Sequence, residues 1–172
     1  MNQTIEDIMN RRSIRKYKAA QIKKEELETV LKAGVCAPSA MNMQSAIIVA
    51  VQNKDDISLM SKLNAAVMGS KSDPFYGAPT VLVVLADAGN KNAVADGSLV
   101  MGNLMNAAAA IGLGSCWINR AREVFDTAEG KALLKKWGIE GNYIGVGNCI
   151  LGYPDEKPAM KPRKDDYVRY VL

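Results

Sequence analysis

Residues Thr80 to Ala86 read Thr-Val-Leu-Val-Val-Leu-Ala, an almost unbroken apolar, β-branched run between Gly77-Ala78-Pro79 and Asp87-Ala88-Gly89. Such a run predicts a buried strand, and a buried strand requires other elements to cover it. Helical patterns on both sides of it in the chain supply that cover. Leu27, Val30, Leu31 and Gly34 recur at helical spacing from Lys24 until Pro38 turns the chain out, as do Ile57, Met60, Leu63 and Val67. Asp96 to Ile111 predicts a long buried helix with small residues at Gly97, Gly102 and Ala107 to Ala110, and Asp96 is read as its cap. Thr4 is read as the cap of a short helix carrying Ile5, Ile8 and Met9 on one face, followed by an extended stretch from Ser13 to Lys18. Ala46 to Val51, Ser115 to Asn119 and Tyr143 to Leu151 are further strands, and Ala121 to Trp137 is a helix broken or kinked near Gly130. The alternation is too irregular for a doubly wound sheet, so the expected class is α+β, one domain over residues 1–172.

Several chemistries are excluded at once. The chain has no histidine, which removes histidine-based zinc sites and Ser-His-Asp catalysis. Cys36, Cys116 and Cys149 are odd in number and widely spaced, so no disulfide framework or metal site is expected, and they read as small buried hydrophobes in a cytoplasmic protein. No apolar stretch is long enough for a membrane span and the first residues lack a signal-segment pattern. A net charge of +4 with interspersed acids, and 6% aromatic residues, argue against a nucleic-acid coat. A localised anion site fits better.

Arg11, Arg12, Ser13 and Arg15 form one basic cluster, and Lys161, Arg163 and Lys164 form another near the far end. Forked guanidinium groups beside a small hydroxyl suit a phosphate dianion. Between them lies Pro38-Ser39-Ala40-Met41-Asn42-Met43-Gln44, whose amides at Asn42 and Gln44 both donate and accept, matching the mixed edge of a flavin pyrimidine ring. Together they suggest a site for flavin mononucleotide (FMN).

Four segments, Arg-Arg-Ser-Ile-Arg-Lys-Tyr, Ala-Pro-Ser-Ala-Met-Asn-Met-Gln, Gly-Leu-Gly-Ser-Cys-Trp-Ile and Leu-Gly-Tyr-Pro before a basic tail, occur in an order that resembles the nitroreductase superfamily. The resemblance implies a central, mostly antiparallel sheet flanked by helices, with the long helix at a homodimer interface. It places Arg11, Arg12, Ser13 and Arg15 at the flavin, with Lys161 and Arg163 returning to the same phosphate. It also implies a ring-binding loop of Pro38, Ser39, Ala40, Met41, Asn42 and Gln44, and backbone donors near Asn119 and Arg120 beside the ring nitrogen that accepts hydride. Where the family usually has proline and tryptophan after the glutamine, this chain has Ser45 and Ala46.

The activity implied is ping-pong transfer of hydride from NADH or NADPH through FMN to nitroaromatic, quinone or other flat electron-poor acceptors, with no catalytic side chain and no metal. Phe75 and Tyr76 are candidates for stacking on the substrate, although their glycine-bearing loop could equally fold back on the core. Small molecules and a second copy of the chain are the expected partners, with neither nucleic acid nor membrane. The alternative is a flavin-binding storage or sensing protein of the same fold, without turnover.

Overall fold

The computed structural model describes residues 1–172. Four strands, β1 (Ala46–Val51), β2 (Thr80–Asp87), β3 (Gly114–Ile118) and β4 (Tyr143–Gly152), form one sheet in the order β1-β2-β4-β3, with every pair antiparallel. Val81 to Ala86 of β2 are wholly buried because both faces of the sheet are covered. Val81, Val83 and Leu85 point into one core with Met60, Phe75, Phe125 and Leu133. Leu82 and Val84 point into the other with Val30, Met101, Leu104 and Ala108. Side-chain alternation along one strand therefore feeds two cores, which is why the run carries no polar face.

Six helices supply the outer layers: α1 (Gln3–Asn10), α2 (Lys24–Val35), α3 (Lys54–Val67), α4 (Ala93–Ala110), α5 (Ala121–Asp126) and α6 (Ala128–Lys136). The cap of α1 is Asn2, not Thr4: its side chain accepts from the Thr4 N–H at 2.9 Å. Asn53 does the same for α3, accepting from the Asp56 N–H at 3.0 Å. Helix α4 begins at Ala93, so Asp96 lies inside its first turn and is not the cap. Only one face of α4 is buried; Leu99 on the other is 48% exposed.

The break between α5 and α6 falls at Thr127, whose hydroxyl caps α6 by accepting from the Gly130 N–H at 3.0 Å. Gly130 is instead a contact glycine. A Cβ there would lie 2.0 Å from the Val124 carbonyl oxygen, so only glycine lets α6 fold back on α5. In β4 the register shifts so that Val146 is the extra residue opposite Val84 and Leu85, and Gly97 of α4 accommodates the Val146 side chain. Cys116 and Cys149 are buried as expected, whereas Cys36, just past the end of α2, is exposed.

Candidate functional site

The segment after α1 is extended and fastened to the sheet. Ser13 bridges Ser115 of β3 in parallel, and the Ile14 N–H donates to the Ser115 carbonyl at 3.0 Å. Farther along, Tyr17 bridges Pro154, the Lys18 N–H donates to the Tyr153 carbonyl, and the Asp155 N–H donates to Lys16. Ile14 is buried against Gly114, where a Cβ would lie 3.0 Å from its side chain. The Arg15 N–H donates to Glu156 Oε1 at 2.5 Å. Main-chain pairing with β3 thus sets where Ser13 and Ile14 stand, and the Glu156 carboxylate holds the main chain at Arg15.

Arg11 is partly buried, and its Nη1 is fully covered with no hydrogen-bond partner. Its guanidinium lies close enough to Cys149 to pull that thiol's pKa down, although burial dominates and pushes Cys149 up to about 12. Burial likewise raises the Tyr17 hydroxyl well above its ordinary value while it donates to the Ile14 carbonyl at 2.6 Å. Arg12 spends one guanidinium nitrogen on the chain itself, donating to the Met9 and Arg11 carbonyls. A cleft of about 600 Å³ opens here, lined by Asp7, Asn10, Arg11, Arg12, Glu156 and Lys157 among others.

Lys161 and Arg163 are exposed and do not line this cleft; the nearer cation of the tail is Lys157. Lys157 and Glu156 were not among the expected site residues. Their signal was position: both lie within three residues of Pro154, which pairs with Tyr17.

The loop between α2 and β1 holds a short 3-10 turn, Ala40–Asn42. Met41, Asn42 and Gln44 all have left-handed backbone (φ 51°, 53° and 49°), and Asn42 and Gln44 are exposed side by side, with Gln44 Nε2 donating to Asn42 Oδ1 at 3.2 Å. Ser39 steadies the turn by accepting from the Gln44 N–H through its hydroxyl at 2.9 Å. Within one chain this loop and the Arg11 cleft share no lining residue.

Asn119 and Arg120 are exposed at the junction of β3 and α5, with Arg120 held at φ 78° and paired to Glu123 at 2.8 Å. Phe75 folds back on the core at 1% exposure, the second of the two placements open to its loop, while Tyr76 is 43% exposed. A larger cavity of about 640 Å³ lies between α3 and this loop, with Phe75 and Lys54, Lys62 and Lys71 in its lining; none of the residues assigned to the flavin borders it.

The architecture is that of an α+β domain with a basic segment clamped to the β3 edge of its sheet. The nitroreductase family model matches residues 8–156, and the chain belongs to that family. It is 34% identical to a protein of Archaeoglobus fulgidus described provisionally as an NADH dehydrogenase/NAD(P)H nitroreductase, over 91% of this chain and 89% of that one. It is 29% identical to the NADPH-flavin oxidoreductase of Vibrio harveyi, over 98% and 72% of the two chains. Among solved structures, a nitroreductase with bound FMN from Bacteroides fragilis superimposes with a TM-score of 0.90 at 28% identity, covering 100% of both chains.

Proposed function

We propose that this chain is an FMN-dependent oxidoreductase that takes hydride from NADH or NADPH and delivers it to flat electron-poor acceptors such as nitroaromatics and quinones. The observation that carries the reading is Arg11 Nη1, a covered guanidinium nitrogen with nothing to donate to. Burying such a donor unpaired costs about 1–3 kcal/mol, and more for a charged group, a penalty that a phosphate oxygen removes. The residues present therefore fit a phosphorylated ligand. Two relatives support the choice of ligand, one named for flavin oxidoreduction and one solved with FMN.

In this reading Arg11 and Ser13 hold the phosphate end, with Arg12 and Lys157, which line the same cleft, adding positive potential around it, while Lys161 and Arg163 stand outside the cleft of a single chain. Pro38, Ser39, Ala40 and Met41 shape the loop that presents Asn42 and Gln44 to the pyrimidine edge. Arg15 stands near that edge and balances negative charge there. The backbone at Asn119 and Arg120 donates toward the reacting centre. A bound flavin would supply the two-electron carrier, and with donor and acceptor served by one site in turn the steady-state pattern would be ping-pong.

A homodimer completes the site. Its support is the apolar surface left open on one chain: Ile5, Ile8 and Met9 along α1 are 47–51% exposed, and Tyr167, Tyr170, Val171 and Leu172 of the tail are almost bare. Dimerisation brings the loop of one copy toward the arginine segment of the other.

The deciding experiment is the absorbance spectrum of the purified protein, followed by anaerobic titration with NADH and with NADPH. A yellow protein that bleaches rapidly supports the enzyme. One that holds FMN but does not bleach is a storage or sensing protein, and one that takes up no FMN ends the reading.

A further inference from the structure

We infer that Asp96 is a positioning residue that holds the flavin-ring loop in shape from inside α4, an inference that rests on the reading of Asn42 and Gln44 as that loop's flavin-facing amides. Asp96 is 4% exposed, yet both groups that bond its carboxylate are neutral. Oδ1 accepts from the Ala40 N–H at 3.0 Å, and Oδ2 accepts from the Ser45 hydroxyl at 3.3 Å. A carboxylate buried without a cation is costly, so its two acceptor oxygens have to be answered by something structural. Here they answer the two flanks of the same turn.

Between Ala40 and Ser45 stand the three left-handed residues Met41, Asn42 and Gln44, none of them glycine. Each such residue costs on the order of 1 kcal/mol and persists only when its surroundings over-determine it. Apolar burial does not do this, because Met41 and Met43 are 87% and 60% exposed. Polar anchoring therefore holds the turn: the Ser39 hydroxyl from within, and Asp96 at both ends. The position of Asp96 in the first turn of α4 also places its negative charge where the helix favours it.

The test uses the full-length protein with Asp96→Ala and Ser45→Ala. Binding of FMN and of riboflavin is read by fluorescence quenching, and hydrogen exchange at residues 40–45 is followed in the flavin-free protein. Because Asp96 acts at the ring end, Asp96→Ala, which removes both carboxylate bonds, should weaken FMN and riboflavin by the same factor, at least about tenfold. Exchange in the loop should rise while β2 stays protected. A folded Asp96→Ala protein with unchanged riboflavin affinity, or with an unchanged loop, overturns the inference. If Asp96→Ala does not fold, Ser45→Ala decides: the same pattern at a smaller factor supports the anchor, and no change in either readout sinks it. A wild-type protein that binds neither flavin overturns the parent reading instead, while loop exchange still reports whether Asp96 holds the turn.

Discussion

Ser13 lies beside Ser115 in a parallel bridge, so a residue near the amino terminus is registered against the start of β3 by main-chain bonding. Two residues before it, Arg11 carries the covered, unpaired nitrogen. Arg11→Ala should raise the Kd for FMN at least about tenfold, the loss of one charge-assisted hydrogen bond, and leave riboflavin, which has no phosphate, little changed. Paired fluorescence titrations read both values, and equal losses for the two ligands would place Arg11 away from the phosphate.

In the proposed site, Arg15→Ala removes a cation from the ring end. The reduced flavin carries more negative charge there, so the variant's midpoint potential should fall, by about 30 mV if the cation favours the reduced form tenfold in a two-electron couple. Spectroelectrochemistry of the flavin-bound variant measures this; an unchanged potential assigns Arg15 no such role.

Asp56 concerns stability alone. Its buried carboxylate accepts from Lys136 Nζ at 2.5 Å and Trp137 Nε1 at 2.9 Å, tying α3 to the end of α6. The Lys136 bond first, then that of Trp137, holds its pKa below the usual carboxylate value, so the stabilisation is full above the unfolded pKa of about 3.9. It is lost as pH falls through the lower folded value. Asp56→Ala should cost about 1–3 kcal/mol at pH 7, and the gap to wild type should close in strong acid. Urea unfolding at the two pH values checks the sign.

Gly130→Ala places a methyl group 2.0 Å from the Val124 carbonyl and 2.8 Å from the Phe125 Cα, both backbone. Neither atom yields without moving α5 against α6, so the variant should lose at least about 1–3 kcal/mol, as overpacking does. Helix propensity alone predicts the opposite, a gain of about 1 kcal/mol for glycine to alanine. Thermal denaturation separates the two.

Deleting Tyr167 to Leu172 tests the dimer. The side chains of Tyr167, Tyr170, Val171 and Leu172 are exposed on a single chain, and the truncated protein should move toward monomer and lose flavin together. Sedimentation with absorbance at the flavin band follows both, and a stable flavin-bound dimer without the tail removes it from the interface.

Much of this molecule follows from local rules. The runs at Ala46 to Val51 and Thr80 to Ala86, and the spacing of Leu27, Val30 and Leu31, mark strands and a helix because periodicity and proline act within a few residues. The same short-range chemistry marked the arginine cluster and the amide loop. Tertiary structure decided the rest, since those choices depend on residues distant in sequence. Asp96 looked like a cap until Ala40 and Ser45 came into bonding range, and Gly130 looked like a break until α5 pressed against it. Phe75 was drawn inward by a core it could not announce alone, and Lys157 reached the Arg11 cleft only because Pro154 pairs with Tyr17. Periodicity records which face a residue turns inward; packing alone determines what it meets there.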